Sequence, residues 1–575
     1  MGGERQPIRY EQERHYPMSV AEAWRLLADT DHLNRSIGLP AVDFSPLDGA
    51  QLTRSARAKA LGVVPVRWHE YPFDWVRERR YAVRREFQSG PIEWLVGGIE
   101  LEPASGGVNV KAFAHFAPKN VAGKLLWRLG RAPVGGLLEF CDAYLSRKAA
   151  GKVDPVPVPK RRPHVDRALL ERLLGELERE GVAAELLPPL RERILEGSDD
   201  QLTSIRAFAL ADRWGADRRE VLRLFANAAD VGLFEPRWAL MCPNCRVAKA
   251  EVDGRGDLPP QFHCDTCGIS YSTDVDERVE LRFTVAPAVR DTSAETYCIG
   301  GPLRMPHVLA QQLLRPHEDR RLELDLGEPL LLRTIGGRQQ LRLVPAPAER
   351  RVRDVRLTYA AGRWVAPHSL VDADAVRVPA GAVVLHNQTD GPVLAVLEDI
   401  GWTRDATTPA DALAVAELRN LLGAAPAPAG QELAVRRVAL LVAGAPPGGL
   451  DAVRERALRA GGRLVKTTHD GAMLAFPELD AALEIGLALV RDHAVGAGLH
   501  HGTAVATAAD GRLDYAGRTA NLAGWLRGQS RIGELVVLAA TADELDLAAR
   551  GDVTLDRFAA RLHDGETELV RVRPA

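Results

Sequence analysis

The chain is 575 residues long, and a single hydrophobic core stops growing at about 250–300 residues, so several domains are expected. Its composition, 46% hydrophobic and 26% charged, is typical of a folded globular protein and argues against a largely disordered or membrane-embedded chain. The 74 basic and 77 acidic residues nearly cancel to a formal net charge of −3, so no general attraction to nucleic acid or anionic lipid is expected.

The apolar stretches of the chain are short. Even residues 438–445 fall well below the ~20 residues that a membrane-spanning helix needs. The N-terminal sequence MGGERQPIRY contains no apolar signal region. We therefore expect a cytoplasmic protein without a transmembrane segment and without a nucleic-acid partner.

Residues 7–150 form the first predicted domain, of the α+β class. The capping box Ser19-Val-Ala-Glu22 predicts a helix start, and apolar residues follow at helical spacing. Residues 108–116 alternate between apolar and more polar side chains, as in a half-buried strand. A last helix is indicated by apolar residues on one face: Leu137, Leu138, Cys141, Tyr144 and Leu145. The sheet between the two helices is expected to be antiparallel.

This order of elements, together with the segment Trp68-His-Glu70-Tyr-Pro72-Phe-Asp-Trp75, resembles the START-like helix-grip family, which is often described as polyketide cyclase or lipid transport. In that family a curved sheet wraps a long C-terminal helix and leaves an apolar cavity. The resemblance therefore implies a hydrophobic ligand. The alternative is that Trp68, Phe73, Trp75 and Tyr81 are ordinary core aromatics.

Residues 151–164 contain four prolines, a composition typical of an extended linker. Residues 165–238 are predicted to be a helical domain, with short helices over 207–214 and 219–227. A helix-turn-helix that reads DNA is the alternative, but no cluster of arginine and lysine marks a recognition face. A helical packing adaptor is therefore favoured. The first helix of this domain carries a leucine stripe: Leu169, Leu170, Leu173, Leu174 and Leu177.

The chain has six cysteines, too few for a disulfide framework, and four of them form two Cys-x-x-Cys pairs. Cys242 and Cys245 are separated from Cys264 and Cys267 by 18 residues, a spacing typical of a tetrahedral zinc site. Four thiolates leave no open coordination position, so we predict a structural zinc ribbon over 239–275. A redox pair or an empty, reduced site is the alternative.

Several blocks around this ribbon resemble a bacterial domain of unassigned function that precedes class III cyclase domains, with an extent here of about 165–420. The resemblance implies a ribbon followed by β-rich modules, which we place at 276–345 and 350–402, then a connecting helix at 408–423 and a linker at 424–430. The blocks are the two cysteine pairs, Val279-Glu-Leu-Arg-Phe283, Pro287-Ala-Val-Arg290, Cys298-Ile-Gly-Gly-Pro302 and Pro306-His307.

Residues 436–575 alternate between predicted strands and helices. Strands are predicted at 438–442, 463–467, 472–476 and 495–500, with helices at 450–460 and 478–491. This order fits a ferredoxin-like βαβ core. The fold class predicted for the whole chain is therefore multidomain α+β: a helix-grip domain, a helical segment, a zinc ribbon with β-rich modules, and a ferredoxin-like domain.

Three blocks of this last domain resemble class III adenylate cyclases: Lys466-Thr-Thr-His-Asp470-Gly-Ala-Met-Leu-Ala-Phe476, Gly498-Leu-His500-His-Gly502 and Leu513-Asp514-Tyr-Ala-Gly517-Arg-Thr-Ala-Asn521-Leu-Ala523. Such enzymes work as dimers, with an active site across the interface and two aspartates that hold two metal ions. The metal ions activate the ribose 3′-hydroxyl and neutralise charge on the triphosphate.

Four positions retain the residue that the resemblance implies. Asp470 matches the second metal aspartate, Lys466 and Asp514 match the adenine-selecting pair, and Asn521 matches the ribose-positioning asparagine. The alternative for Asp470 and Asn521 is a purely structural role in turns and helix caps.

Two other positions lack the residue that the resemblance implies. Gly444 stands where the first metal aspartate is expected, and Trp525 stands where the transition-state arginine is expected. Loss of an analogous arginine in phosphoryl transfer costs on the order of 10³–10⁵ in rate. Arg527 is the nearest spare arginine, but two residues along a helix it points about 200° away from Trp525.

Three functions are therefore compared. The first is a regulatory pseudocyclase that binds a purine nucleotide and a protein partner or second copy. The second is an adenylate cyclase that is active only with a complementing partner chain, and only then with Mg²⁺ or Mn²⁺. The third is a lipid- or polyketide-binding protein whose later domains are scaffolds. The imbalance between retained base-recognition and lost phosphate chemistry favours the first.

Overall fold

The structure is a computed structural model. It describes residues 7–45, 52–60, 63–120, 127–158, 164–242, 248–252, 261–264, 269–272, 279–293, 295–324, 328–334, 339–346, 354–367, 370–372, 375–378, 381–399, 406–415, 418, 433–444, 451–468, 471–493, 495–509, 512–562 and 565–575.

The helices are α1 Val20–Leu27, α2 Thr30–Ser36, α3 Trp127–Ala149, α4 Arg167–Arg179, α5 Leu187–Glu196, α6 Ala207–Trp214, α7 Arg218–Asp230, α8 Pro409–Ala414, α9 Asp451–Arg459, α10 Leu479–His493, α11 Arg518–Gln529 and α12 Ala539–Glu544. No helix among the described residues is long and apolar enough to cross a membrane.

The strands are β1 Ile8–Tyr16, β2 Val42–Phe44, β3 Arg54–Ala60, β4 Val64–Glu70, β5 Asp74–Val76, β6 Arg80–Phe87, β7 Ile92–Ala104, β8 Gly107–Pro118, β9 Phe234–Met241, β10 Ala248–Val252, β11 Gln261–Cys264, β12 Ile269–Ser272, β13 Val279–Val285, β14 Val308–Leu314, β15 Asp319–Leu324, β16 Leu330–Thr334, β17 Gln340–Pro345, β18 Asp354–Ala360, β19 Arg363–Val365, β20 Val371–Asp372, β21 Ala375–Val378, β22 Gly381–Asn387, β23 Val393–Asp399, β24 Leu433–Gly444, β25 Arg463–Thr468, β26 Gly471–Phe476, β27 Ala497–Ala509, β28 Arg512–Ala516, β29 Leu535–Leu538, β30 Val553–Leu562 and β31 Gly565–Pro574.

The N-terminal unit is an antiparallel sheet covered by helices. Its central order is β1-β8-β7-β6, and α3 packs against β1 and β8. The predicted helix start is confirmed, because the Ser19 hydroxyl accepts the Glu22 N–H at 3.1 Å. The predicted alternation in β8 is also confirmed by its alternating burial. Sheet and helices therefore form the α+β unit expected from the sequence.

The aromatic residues of this unit lie in its core. Phe73, Trp75 and Tyr81 are buried together with residues of α1 and α3. The Tyr81 hydroxyl donates to the Leu27 carbonyl at 3.1 Å. Trp68 is buried against Phe87, with ring centroids 6.0 Å apart. These aromatics have the core role that the sequence left as an alternative, and the hydrophobic ligand stays a prediction.

The N-terminal sheet continues into strands from much later in the chain. β5 pairs with β14, and the sheet then runs through β23, β16, β17, β21 and β20. The buried side chain of Gln312 donates to the Trp75 carbonyl at 2.8 Å, which reinforces this seam. Main-chain hydrogen bonds thus join the N-terminal unit to residues 308–399.

Residues 308–399 form two sheets around one core. The second sheet has the order β15-β22-β18-β19. Strands from both predicted β-rich modules alternate here, since β15 pairs with β22 and β16 pairs with β23. Leucine and valine side chains from both sheets share a single buried cluster. The two segments therefore complete each other.

Helices α4–α7 pack with β9 and β13 around a large apolar core. The stripe of α4 is buried as predicted, at Leu170, Leu173, Leu174 and Leu177. The prediction of helix to residue 238 is wrong at its end, because β9 begins at Phe234 and pairs antiparallel with β13. The connecting helix is described as α8, capped by Thr408, and the predicted linker at 424–430 lies outside the described residues.

A charged network joins α2, the proline-rich linker and the helical unit. The imidazole of His32, only 2% exposed, lies 2.8 Å from an Asp200 carboxylate oxygen and 2.7 Å from the Pro157 carbonyl oxygen. Both partners are acceptors, so both ring nitrogens must carry protons to satisfy them. Burial lowers the pKa of His32, but the hydrogen bond and charge of Asp200 outweigh burial and raise it. Arg35 also contacts Asp200, at 3.1 Å.

A second pair lies beside this network. The guanidinium of Arg193 pairs with Asp154, and its Nε donates to the Gln201 carbonyl at 3.0 Å. Burial raises the pKa of Asp154, but the charges of Arg193 and Arg213 outweigh it and lower it. Opposite charges therefore hold the linker against α5.

The C-terminal unit has the predicted ferredoxin-like order. β24, α9, β25, β26, α10 and β27 follow one another in the chain, and the strands lie side by side as β27-β24-β26-β25, all antiparallel. Alternate residues of β24 face α10 on one side and α11 on the other. The sheet extends from β27 through β29, β31 and β30.

Candidate functional site

The end of β24 meets the hairpin formed by β25 and β26. Gly444 pairs with Gly471, and Thr468 pairs with the same glycine. Asp470 lies outside the described residues. The register places Gly471, the residue that follows Asp470 in the chain, beside Gly444, where the resemblance implies the first metal aspartate.

The backbones at this edge approach closely. A Cβ atom at Gly471 would lie 2.0 Å from the Ala443 carbonyl oxygen, so only glycine fits. The Gly444 N–H donates to the Gly496 carbonyl at 3.0 Å. Hydrogen bonds on both sides thus fix the main chain of Gly444.

The side chain of Arg527 fills the space beside Gly444. A Cβ atom at Gly444 would lie 2.8 Å from the Arg527 Nη2 atom. Helix α11 can approach this closely because it packs on Gly498, where a Cβ atom would lie 2.2 Å from the Arg527 backbone nitrogen. The Arg527 Nη1 atom donates to the Ser530 hydroxyl at 3.4 Å. Among the described residues, no carboxylate pairs with Arg527.

These residues do not fit the two-metal site that the sequence resemblance implies. Gly444 stands where the resemblance implies a carboxylate ligand, and a permanently charged guanidinium occupies the adjoining space. A cation at this position opposes a divalent cation instead of binding it.

Trp525 has a packing role on the same helix. It is half-buried and lies against a small apolar cluster formed by Leu526, Val536 and Leu569. Arg527 is directed elsewhere, toward Gly444, as the helical spacing predicts. Neither residue therefore places a guanidinium where the sequence resemblance expects one.

The predicted base-recognition residues lie on two strands that are not neighbours in the sheet. Lys466, half-buried on β25, pairs with Met473. The backbone of Asp514 pairs with Thr507 in the β27–β28 hairpin, and its side chain lies outside the described part. Asn521 is exposed in α11, and its N–H donates to the Gly517 carbonyl at 3.1 Å.

A buried pair that the sequence reasoning missed connects these two strands. The Arg463 guanidinium donates to the Tyr515 hydroxyl, and its Cζ atom lies 4.9 Å from the Tyr515 ring centroid. Both residues are 3% exposed, and burial lowers the pKa of Arg463. Arg463 precedes Lys466 by three residues, and Tyr515 directly follows Asp514. The pair therefore fixes β25 relative to β28.

His500 is a neutral residue of this sheet. Burial, with smaller contributions from His501 and Arg518, lowers the pKa of His500 to about 4. Since it is neutral at pH 7, it adds no cation to the face of β24 that α11 covers, where it pairs with Leu440.

Two of the four cysteines lie at the ends of paired strands. Cys242 follows Met241, which pairs with Ala248, and Cys264 pairs with Ile269. Cys242 is buried, whereas Cys245 and Cys267 lie outside the described residues. The part of the chain that is described contains no group of three or more histidine, cysteine or acidic residues suited to a metal ion. Zinc binding therefore stays a prediction.

Comparison with known proteins adds two findings. Residues 170–297 match a protein family of unknown function, DUF5939. No curated protein sequence matches this chain.

Solved structures with similarity to part of the chain include adenylate and guanylate cyclases. An adenylate/guanylate cyclase/hydrolase from Silicibacter pomeroyi is 18% identical over 25% of this chain and 99% of its own, with a TM-score of 0.22. The adenylyl cyclase CyaB from P. aeruginosa is 16% identical over 25% of this chain and 96% of its own, with a TM-score of 0.22. The guanylate cyclase domain of RhGC from Catenaria anguillulae is 15% identical over 24% of this chain and 98% of its own, with a TM-score of 0.21.

Proposed function

We propose that residues 436–575 form a cyclase-like domain that binds a purine nucleotide without cyclising it, and that this domain regulates the rest of the chain or a protein partner. The observation that carries the proposal is the close packing of the Arg527 side chain against Gly444. An aspartate is missing where a metal ligand is needed, and a cation occupies the space. The packing of Trp525 among apolar residues removes the second source of phosphate stabilisation.

Nucleotide binding is supported by the residues that remain. Lys466 and Asp514 retain the types that the resemblance implies for adenine selection. The buried Arg463–Tyr515 pair links their strands, which limits the distance over which the two residues can separate.

The test is a product assay on the full-length protein. Incubation with ATP or GTP and Mn²⁺ is expected to yield no cyclic nucleotide, whereas equilibrium dialysis is expected to detect bound nucleotide. Formation of cyclic AMP by the protein alone would refute the proposal.

The second candidate is an adenylate cyclase completed by a partner chain. Its supporting observation is the same linked pair of strands, because a partner carrying both metal aspartates could use Lys466 and Asp514 of this chain. Adding an active cyclase domain in excess would then raise cyclic AMP formation above the activity of that domain alone. The regulatory proposal predicts no synergy.

We also propose a structural zinc ion held by Cys242, Cys245, Cys264 and Cys267. Support comes from the spacing of the four cysteines and from the strands beside two of them: Cys242 directly follows β9, which pairs with β10, and Cys264 ends β11, which pairs with β12. Elemental analysis of the purified chain is expected to find about one zinc per molecule. Replacement Cys267→Ser should abolish stoichiometric zinc, and Cys141→Ala, at a buried cysteine elsewhere, should retain it.

A further inference from the structure

We propose that the C-terminal domain binds the phosphate groups of a nucleotide without a divalent cation, and that the Arg527 guanidinium supplies the positive charge at this site. The inference rests on the proposed nucleotide binding and adds how the phosphates are held. It follows from the disagreement between the implied metal site and the residues that are present.

The first step is the position of the guanidinium. The Nη2 atom of Arg527 lies 2.8 Å from where a Cβ atom would stand on Gly444. The close packing of α11 on Gly498 holds the helix at this height above the sheet. Arg527 is therefore placed at the edge where β24 ends and where its last residue, Gly444, pairs with Gly471 of β26.

The second step is the set of donors that remains. Guanidinium has five N–H donors, and Ser530 accepts from one of its nitrogens, Nη1, at 3.4 Å. The Ser530 hydroxyl itself donates to the Arg527 carbonyl at 2.7 Å, so Ser530 is fixed at the end of α11. The Nη2 atom faces Gly444, and no acceptor among the described residues pairs with it. Its N–H donors can therefore bind a further acceptor.

The third step is the chemistry of the missing partner. Arg527 is half-buried, and no carboxylate pairs with it within the described residues. A guanidinium remains charged at all physiological pH values and binds phosphate oxygens through two parallel hydrogen bonds. The same charge makes a divalent cation beside it unfavourable. Phosphate is therefore the chemical class that fits.

Binding of ATP to the full-length protein, measured by isothermal titration calorimetry in EDTA and again in excess Mg²⁺, tests the inference. We expect dissociation constants that agree within about threefold. Arg527→Gln should weaken binding in EDTA by at least about tenfold, because it removes a charge-assisted bidentate contact. Arg531→Gln, an equal loss of charge at an exposed residue just past the same helix, should leave the affinity unchanged.

The outcomes separate the two proposals. Binding that requires Mg²⁺ or Mn²⁺ would overturn the metal-free site and leave the proposed nucleotide binding intact. Equal losses in the Arg527 and Arg531 variants would also overturn the role of Arg527. Absence of ATP and GTP binding under every condition would overturn both. The comparison of EDTA with Mg²⁺ uses only the unmodified protein, so it does not depend on the folding of a variant.

Discussion

Two charged regions of this molecule differ in how their charges are balanced. At the junction of α2, the linker and α5, each cation meets an acid: His32 and Arg35 meet Asp200, and Arg193 meets Asp154. At the edge of the C-terminal sheet, Arg527 lies beside Gly444, the position where the resemblance implies a metal aspartate. Balanced buried charges hold segments together, whereas an unbalanced cation at an edge is suited to an external anion.

The largest effect on stability is expected from breaking the Arg193–Asp154 ion pair at the junction of α2, the linker and α5. Asp154→Ala leaves the nearly buried guanidinium of Arg193 unpaired, which costs about 3–5 kcal/mol. Amide hydrogen exchange in residues 187–201 should accelerate by on the order of a hundredfold or more, since 1.36 kcal/mol corresponds to tenfold.

The control for this change is an exposed pair of the same helical unit. Asp212→Ala breaks the ion pair with Arg218, whose side chain is 39% exposed, and should cost about 0–1 kcal/mol. Equal acceleration in both variants would mean that the junction pair is no more important than a surface pair.

The second effect concerns the internal link of the C-terminal unit. Tyr515→Phe keeps the aromatic ring but leaves a buried N–H of Arg463 without this acceptor, at a cost of about 1–3 kcal/mol. Exchange in residues 512–516 should accelerate, and ATP affinity should fall because Lys466 and Asp514 are less well positioned.

The matched control is Tyr359→Phe, the same chemical change at a ring that packs on Trp364 with centroids 5.2 Å apart. Tyr359→Phe should leave both the hydrogen exchange of residues 512–516 and the ATP affinity unchanged. If Tyr515→Phe also changes neither, the pair does not position the base-recognition residues.

The third effect is a pH dependence of the junction. The folded-state pKa of His32 is raised, so its contribution is fully present below the unfolded pKa and is lost as pH rises through the folded value. Each unit of difference between the folded and unfolded pKa of His32 contributes about 1.4 kcal/mol to the free energy of unfolding. The charged groups that face His32 or its partner Asp200 are Asp29, Asp154 and Arg35.

Hydrogen exchange at the junction, corrected for its intrinsic pH dependence, should therefore increase between pH 6 and pH 9. His32→Gln should flatten the profile, and His386→Gln, at a histidine paired with an acid in the two-sheet unit, should not. A steeper loss toward acid in the unmodified protein would contradict the doubly protonated imidazole.

The smallest effect on stability is expected at Gly444. Gly444 is buried, but in Gly444→Asp the new side chain meets the far end of the flexible Arg527 side chain, which can shift, so the unfolding free energy should fall by no more than about 1 kcal/mol. The carboxylate should pair with Arg527 and weaken ATP binding in EDTA several-fold, whereas Gly444→Ala should not. Tight Mn²⁺ binding by Gly444→Asp, detected by electron paramagnetic resonance, would show that Arg527 does not oppose a metal ion.

Sequence reasoning worked best where the signal was local. The start of α1 followed from Ser19 and its spacing to Glu22, and the ferredoxin-like order followed from alternating strand and helix patterns in 436–575. It was wrong at β9, because the apolar side chains that cover the helical core also suit a helix until their pairing with β13 is known.

Residue types and their spacing are properties of the chain alone, so the sequence by itself determined the glycine at 444, the tryptophan at 525 and the periodicity of the main elements. Only the tertiary structure decided which distant residues meet. His32 meets Asp200 across 168 positions, and Arg527 reaches Gly444 from another element. Such contacts depend on strand register and helix packing, which bring together side chains that no local pattern relates.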